Sequence, residues 1–454
     1  MSKIEICIDR EMTRFQDRLE TKKCVFAQDL LTRSAHEFAS HLPSGRWLVV
    51  TDQTTRGIAG EVVLEHCRVA GIDVQEWVIE PGMGEHVPVA DEQKVSLLMH
   101  RLRAGEPVQA VVAVGAGTVN DVAKMATFRC GIPYGVLATA PSMNGYTSGI
   151  AALLSEGVKT TQPCHSPVVC LADLDVMAAA PQRMIASGLG DLISKPVSHA
   201  DWRLSHRLNG SYYSEDAMIL VDAGGALLEG VAPRLAERDV EAVGRLTASL
   251  CLSGLAMSVA GSSSPASGAE HLISHYIDMT HFAFGEGHDF HGCQVGVGTI
   301  TTAALYECLA QFDITGLDVE QRVRDWQPLE AHKFLLQKRF GTLFSAVLPH
   351  AEKAYPTPDE LERRLSLLQA EWSSILTDLQ RSLRAARDIR EELISAGCPV
   401  RFRELGVSDE RAWRAVSYCK DIRARYTVLH LAAELGVLEI WARKVLQELH
   451  QVVC

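Results

Sequence analysis

The sequence predicts an α/β domain followed by an all-helical domain. Through the first third of the chain, short apolar runs rich in β-branched residues alternate with amphipathic stretches. This alternation is typical of a parallel sheet covered by helices. Beyond Pro181 the strand-like runs disappear, and apolar residues recur every three or four positions, as in helices. We therefore predict domains over residues 1–180 and 181–454.

The individual elements follow from the same patterns. In the first domain we predict strands over 46–51, 74–79, 108–114, 134–137 and 168–171, and helices over 57–69 and 91–102. In the second domain we predict helices over 185–208, 241–260, 294–311 and 361–393. Ser408 is a good helix start, because two acids follow its capping hydroxyl. The stretch 313–358 shows no clear period and is expected to hold loops or an insertion.

Composition narrows the function classes. The chain of 454 residues has a formal net charge of −12, which disfavours nucleic acid and anionic membranes as partners. Charges interrupt the first twenty residues, so no apolar signal core is present and a cytoplasmic location is expected. The twelve cysteines include no Cys-x-x-Cys pair, and we expect reduced thiols without catalytic role.

Two glycine-bearing loops suggest a nucleotide site. Residues 111–124 read VVAVGAGTVNDVAK, in which a buried strand ends in glycines before a helix, so that backbone N–H groups can face a diphosphate. Asn120 replaces the third glycine of the usual dinucleotide motif, and a plain strand-to-helix turn is the alternative. The polar loop 138–149, ATAPSMNGYTSG, follows another strand. Asp52 could accept from ribose hydroxyls or be a turn carboxylate.

Three patches of the second domain suggest a metal site. Asp191 lies in an apolar run, where an unpartnered carboxylate would be costly. His271 and His275 share one helix face, and His288 and His291 are predicted to open another helix. One carboxylate and two imidazoles on separate helices would leave positions open for catalysis on a divalent ion. The alternatives are a helix cap and core histidines, and spacing alone does not choose the ligands.

With these residues in view, the chain resembles the dehydroquinate synthase-like and iron-containing alcohol dehydrogenase superfamily. Within it, the chain is similar to the bacterial glycerol-1-phosphate dehydrogenases of the arabinose-operon type. The motifs that carry the resemblance, in chain order, are GAGTVND, ATAPSMNGYTSG, GLGDLISK, SGAEHLISHYID, HGCQVGVGT and CKDIRARYTVLHLAAELG.

The resemblance implies a Rossmann-like first domain, a helical second domain and a homodimer or larger homo-oligomer. It implies reversible reduction of dihydroxyacetone phosphate to sn-glycerol 1-phosphate by NADH or NADPH. One divalent ion, zinc or nickel with iron in some relatives, would be held by Asp191, His271 and His291. Catalysis would involve Asp191 and His275, and Asn144, Asp191 and His275 would contact substrate. The implied cofactor-binding residues are Asp52, Gly115, Ala116, Gly117, Thr118, Val119, Asp121, Thr139, Ser142 and Ser148.

One position departs from the family pattern. The family places an aspartate after its Ala-Pro-Ser-Met motif, whereas this chain has Asn144, which brings no charge. A non-catalytic nucleotide-binding relative, which Asn144 supports, is one alternative. A dehydroquinate synthase-like cyclase is the other, although it would need clusters of lysine and arginine that these motifs do not show. The phosphate anchor is not assigned, since we interpret Lys124 and Lys195 as solvated surface lysines.

Overall fold

The structure is a computed structural model that describes residues 3–155 and 158–452. Packing groups the chain into two compact units, neither of which is continuous in sequence. Unit 1 comprises Met1–Leu192, Glu215–Ser263 and Ser395–Gly397, and unit 2 comprises Ile193–Ser214, Ser264–Ile394 and Cys398–Cys454. The domain boundary between residues 180 and 181 stays a prediction.

Unit 1 contains the β-structure of the described chain. Its strands are β1 (Lys23–Ala27), β2 (Trp47–Asp52), β3 (Val74–Ile79), β4 (Ala110–Gly115), β5 (Tyr134–Ala138), β6 (Ile150–Ser155), β7 (Val158–Pro163) and β8 (Val169–Asp173). Six of them form a parallel sheet in the order β1-β8-β5-β4-β2-β3, and β6 and β7 form an antiparallel pair. The five predicted strands are confirmed, whereas β1, β6 and β7 were not predicted.

The strand order places a topological switch point between β2 and β4. From β2 the chain first adds β3 on one side, and then β4 on the other, next to β2. In such sheets, ligands bind beyond the carboxyl ends of the strands that flank the switch. β2 ends at Asp52 and β4 ends at Gly115, so two predicted cofactor segments lie at this edge.

The core of unit 1 explains why the central strands read as continuous apolar runs. Every residue of β4 and β5 is buried, as is usual for parallel strands that are covered on both faces. Trp47, Val49, Val112 and Leu137 belong to one apolar cluster, which Phe38 and Val63 complete from the helical layer.

The α-helices of the described chain fall into two runs along the sequence. In the first part they are α1 (Lys3–Arg14), α2 (Ser34–Ala39), α3 (Gln53–Thr55), α4 (Glu61–Val69), α5 (Glu92–Arg103), α6 (Gly117–Cys130), α7 (Leu174–Ala179), α8 (Gln182–Leu192), α9 (Lys195–Asn209), α10 (Glu215–Leu228), α11 (Ala232–Ala236) and α12 (Val240–Ala260). In the second part they are α13 (Ala269–Phe284), α14 (His291–Ala310), α15 (Val319–Arg324), α16 (Leu329–Phe340), α17 (Phe344–Ala354), α18 (Pro358–Ala370), α19 (Trp372–Gln380), α20 (Ala386–Ser395), α21 (Asp409–Tyr418), α22 (Val428–Glu434) and α23 (Leu438–His450).

Three helix predictions need correction. The stretch 313–358 is mainly helical, since it contains α15, α16 and α17. The helix predicted over 185–208 is two helices, α8 and α9, because two residues in a turn separate them. The helix predicted over 361–393 is three helices, α18, α19 and α20. The predicted start at Ser408 is confirmed, because its side chain accepts from the backbone N–H of Arg411.

Among the described residues, one helix is long and apolar enough to cross a membrane. This helix is α12, and 89% of its most apolar stretch of 18 residues is buried inside the protein. Such burial is typical of a core helix, and α12 packs against α7, α8 and α10 within unit 1. The cysteines of residues 3–452 are free thiols, as predicted.

Candidate active site

The first glycine loop joins β4 to α6. Gly115 is the last residue of β4 and pairs with Ala138 of β5, while Ala116 has an extended backbone and precedes α6. Ala116 supplies no side-chain cap, so the N–H groups of Gly117, Thr118 and Val119 begin α6 without one. A helix start of this kind offers N–H groups and positive potential to an anion.

Asp52 acts as a helix cap at the neighbouring strand end. Its Oδ1 accepts the backbone N–H of Thr55 at 2.7 Å, and the Thr55 hydroxyl accepts the Asp52 N–H at 3.1 Å. These bonds form a capping box, which orients the Asp52 carboxylate at the switch point. A contact with ribose stays a prediction for this residue.

The second loop, residues 138–149, is fixed to the first by its backbone. Thr139 donates its N–H to the Gly115 carbonyl at 3.3 Å, and Tyr146 donates its hydroxyl to the Ala140 carbonyl at 2.7 Å. The buried Ser148 hydroxyl donates to the Gly145 carbonyl at 2.9 Å. The Ser142 carbonyl accepts from the Ser187 hydroxyl at 2.8 Å. A cofactor role for Thr139, Ser142 and Ser148 stays a prediction.

Lys124 is a buried lysine, which corrects its interpretation as a solvated one. Its side chain on α6 is fully buried, and Nζ donates to the carbonyl of Gly145 at 2.6 Å and that of Ile150 at 3.0 Å. Its partner in charge is Asp121, 4.0 Å away, whose carboxylate accepts the Ala152 N–H at 3.1 Å. Burial raises the pKa of Asp121, and Lys124 opposes that rise. In this arrangement α6 holds the C-terminal part of the second loop and the start of β6. Cofactor binding by Asp121 stays a prediction.

Asp191 lies near the end of α8, within hydrogen-bonding distance of the second loop. The Asn144 backbone N–H donates to Asp191 Oδ2 at 2.9 Å, and the Asn144 side-chain amide donates to Oδ1 at 3.2 Å. The approach requires Gly188, because a Cβ there would lie 1.9 Å from the Pro141 carbonyl oxygen. The GLGD motif therefore lets α8 touch the loop backbone and presents the buried Asp191 carboxylate to two donors.

In unit 2, α13 and α14 bring three histidine rings together. The ring of His271 lies 5.2 Å from that of His291 and 6.3 Å from that of His275, centroid to centroid, and the rings of His275 and His291 lie 5.6 Å apart. Gly298 permits this packing, since a Cβ there would lie 2.8 Å from the Glu270 carbonyl oxygen.

Two polar neighbours orient these imidazoles. The fully buried Glu270 carboxylate accepts from His271 Nδ1 at 2.7 Å and from the Gly268 N–H at 2.7 Å. The Ser274 hydroxyl is 2.9 Å from His291 Nδ1. With Nδ1 engaged in both residues, Nε2 is the nitrogen that each can offer to a metal ion. A carboxylate behind a ligating histidine is the usual arrangement in metal sites.

The residues predicted to bind the metal divide between the two units, with Asp191 in unit 1 and both His271 and His291 in unit 2. A single ion held by all three stays a prediction. A carboxylate oxygen and two imidazole nitrogens suit zinc, nickel or iron, and three protein ligands leave room for substrate. The residues therefore fit a catalytic divalent ion.

Sequence reasoning missed the residues that support these ligands. Glu270 precedes a histidine without any recognisable motif, and Ser274 stands in an apolar helix. His271 and His275 share one face of α13, whereas the predicted trio takes one histidine from α13 and one from α14. A resemblance, and no spacing rule, pointed to that choice.

The fold has counterparts among known proteins. Residues 25–181 match the family model described as iron-containing alcohol dehydrogenase. The glycerol dehydrogenase from Schizosaccharomyces pombe has a TM-score of 0.60 and 18% identity, over 94% of this chain and 91% of that one. A probable glycerol dehydrogenase from Sinorhizobium meliloti 1021 has a TM-score of 0.60 and 15% identity, over 93% and 98%. The fold is therefore that of the iron-containing alcohol dehydrogenases.

The comparison of sequences identifies the family more closely than the comparison of folds. Proteins named glycerol-1-phosphate dehydrogenase [NAD(P)+] are 30% identical over 86% of both chains in Bacillus velezensis and 30% identical over 85% of both chains in Bacillus subtilis. One from Halalkalibacterium halodurans is 35% identical over 57% of this chain, and the match spans 64% of that relative. The chain belongs to the glycerol-1-phosphate dehydrogenase family of NAD(P)-dependent oxidoreductases. The resemblance found in the sequence is thereby confirmed.

Proposed function

We propose that this protein catalyses the reversible, metal-dependent reduction of dihydroxyacetone phosphate to sn-glycerol 1-phosphate with NADH or NADPH. The observation that carries the proposal lies within unit 2, where the rings of His271 and His291 are 5.2 Å apart, centroid to centroid, and the buried Glu270 carboxylate accepts from His271 Nδ1. The names of the sequence relatives support the substrate. We also propose that the protein is a cytoplasmic homodimer or larger homo-oligomer. The net charge of −12 supports the further proposal that it has no nucleic acid or membrane partner.

The proposed metal ligands are Asp191 Oδ and the Nε2 atoms of His271 and His291, with zinc or nickel as the ion. When bound, the ion supplies Lewis-acid stabilisation of the charge that grows on the substrate oxygen, and the nicotinamide supplies the hydride. Glu270 keeps His271 in the tautomer that presents Nε2, because its carboxylate accepts from Nδ1. Asn144 orients the Asp191 carboxylate by donating to both of its oxygens.

The proposed dinucleotide site uses residues 115–119 for the diphosphate. Thr139, Ser142 and Ser148 belong to the adjacent loop, and Asp121 lies one turn along α6. Support comes from the uncapped start of α6 beside the switch point. Asp52 disfavours a 2′-phosphate through charge repulsion, so we expect NADH to be used at least as well as NADPH.

His275 is the proposed proton donor to the substrate oxygen. It shares a helix face with His271, and its ring is 5.6 Å from that of His291. Imidazole exchanges protons near neutral pH, which suits a general acid in this reaction. Asn144 and Asp191 would face the substrate hydroxyl from the second loop and α8.

The test is oxidation of NADH or NADPH on addition of dihydroxyacetone phosphate, by enzyme loaded with zinc or nickel. Chelation should abolish the rate, and readdition should restore it. His271→Ala should lose the bound metal, whereas His100→Ala, an exposed histidine of α5, should keep it. A full rate in metal-free enzyme, or full metal content in His271→Ala, would rule out this mechanism.

A further inference from the structure

A chain of hydrogen bonds leads away from His291, the histidine that opens α14. The Ser274 hydroxyl lies 2.9 Å from His291 Nδ1 and 3.3 Å from Gln294 Oε1. The Gln294 amide donates from Nε2 to Asp278 Oδ1 at 2.9 Å and to the Asp289 carbonyl at 2.6 Å. All of these residues belong to unit 2, and both Ser274 and Gln294 are fully buried.

The partners of Gln294 fix the direction in which its amide points. A carboxylate and a peptide carbonyl both accept hydrogen bonds, so the NH₂ group of the amide must face Asp278 and Asp289. The amide oxygen therefore faces Ser274, whose hydroxyl is its donor among the described residues. Because a buried oxygen without a donor is costly, this contact holds the hydroxyl proton toward Gln294.

The direction of the Ser274 hydroxyl in turn determines the tautomer of His291. A hydroxyl has one proton to donate, and Gln294 accepts it, so the Ser274 oxygen is left to accept. His291 must then donate from Nδ1, and its neutral ring carries the free electron pair on Nε2. Nε2 is the atom that the proposed metal site requires. A serine without a fixed direction could donate to Nδ1 instead, and the ring proton would then occupy Nε2.

We propose that Gln294 is a positioning residue for metal binding, because it sets the tautomer of His291 through Ser274. The inference rests on the proposed function, in which His291 binds the ion. The two imidazoles are held in different ways, since the Glu270 carboxylate accepts directly from His271 Nδ1, whereas His291 is held by neutral groups in series.

The test compares the wild type with Gln294→Met, Ser274→Ala and the variant that combines both. Thr299→Val is the control, because Thr299 is fully buried on the same helix and its hydroxyl donates to the Val295 carbonyl at 2.8 Å. The first measurement is the nitrogen-15 NMR spectrum of the histidine rings in the metal-free proteins. It is recorded about two pH units above the ordinary imidazole pKa of about 6.5, so that the rings are neutral, and His291→Ala assigns the signals. The second measurement is zinc affinity by competition with a chromogenic chelator.

In the metal-free wild type we expect His291 to carry its proton on Nδ1. Gln294→Met should move part of that proton to Nε2 and weaken zinc binding by about 10- to 100-fold, as loss of a group that supports a ligand does. Thr299→Val should match the wild type in both measurements. In the Ser274→Ala background, Gln294→Met should change zinc affinity by no more than about 2-fold, because its effect passes through the serine.

A wild-type His291 with its proton on Nε2 would overturn the proposal, whether or not the variants fold. Wild-type zinc affinity in folded Gln294→Met, or an undiminished effect of that substitution in the Ser274→Ala background, would also overturn it. Reduction of dihydroxyacetone phosphate is measured separately. If the wild type lacks that activity or binds no zinc, the proposed function fails, and the tautomers of the wild type and Gln294→Met alone decide the role of Gln294.

Discussion

Asn144 donates two hydrogen bonds to Asp191, one to each oxygen of the carboxylate. The backbone N–H reaches Oδ2 at 2.9 Å, and the side-chain amide reaches Oδ1 at 3.2 Å. The family pattern expects an aspartate at this position, which could not donate from its ionised side chain. The asparagine is therefore a neutral donor where the family has a second negative charge.

Replacing Asn144 by Asp should make the protein depend more on its metal. Two carboxylates at hydrogen-bonding distance repel each other, so metal-free Asn144→Asp should melt at a lower temperature than the metal-free wild type. A divalent ion relieves that repulsion, and the rise in Tm on adding zinc or nickel should be larger in the variant. Differential scanning fluorimetry measures both quantities.

The matched control is Asn209→Asp, at the end of α9. It adds the same charge away from Asp191, and its metal-induced rise in Tm should equal that of the wild type. An equal metal-induced rise in Tm in all three proteins would show that residue 144 does not affect metal binding.

Glu270→Gln should weaken metal binding without removing a ligand. The variant loses the charge that holds His271 through Nδ1, and loss of such a partner typically costs about 10- to 100-fold in metal affinity. Competition with a chromogenic chelator measures the affinity, and the visible spectrum of the cobalt form reports the ligand geometry. Glu391→Gln, on the surface of α20, is the control. An unchanged metal affinity and an unchanged cobalt spectrum in Glu270→Gln would show that Glu270 does not support metal binding.

The two glycines of the first loop should respond differently to substitution. A Cβ at Gly117 would meet nothing nearer than the Met143 side chain at 3.6 Å, so Gly117→Val should fold but crowd the diphosphate. At Gly115 a Cβ would lie 2.5 Å from the Val119 Cβ, so Gly115→Ala should lower stability. Calorimetric NADH binding and thermal melting separate the two effects. Normal NADH affinity in folded Gly117→Val would place the diphosphate elsewhere.

Stability should fall as the pH decreases below about 6.5. His450 is 1% exposed, and its ring packs on Phe402, 4.8 Å between centroids. Burial, assisted by Arg390 and Arg401, lowers its pKa to about 3. As the pH falls below about 6.5, His450 binds a proton in the unfolded chain but not in the folded chain. This favours unfolding at pH values between the unfolded pKa of about 6.5 and the folded pKa of about 3.

This histidine contributes a slope of up to about 1.4 kcal/mol per pH unit. Urea unfolding at a series of pH values should show a shallower decline for His450→Phe than for the wild type, whereas exposed His100→Phe should keep the wild-type slope. Parallel curves for the wild type and His450→Phe would contradict the assignment.

The sequence predicted the strands that are buried on both faces, together with the half-buried edge strand β3, and missed three strands that are only partly buried. β2, β4 and β5 are continuous apolar runs, which identify central strands of a parallel sheet. β1 is an edge strand that alternates buried and half-buried residues, and β6 and β7 pair as a short separate hairpin in which β7 is mostly polar.

The residues of the candidate site were likewise predicted only in part. Loop glycines and lone acids in apolar runs can be seen in a sequence, and they pointed to the region of Gly115 and to Asp191. Lys124 and Lys195 were misjudged because their partners are backbone carbonyls, which carry no residue-specific signal. The contact of Glu270 with His271 depends on side-chain rotamers, which no spacing encodes.

The discontinuity of unit 1 has a consequence for synthesis on the ribosome. Asp191 lies on α8, which packs against α12, and α12 ends only at Ala260. A nascent chain that has just passed residue 192 therefore holds every described strand of the sheet but lacks the helix that packs against α8. We expect unit 1 to resist protease only after about seventy further residues have been translated, since domains gain protection when their packing is complete. Gene fragments cut at the end of the sheet should accordingly yield insoluble protein.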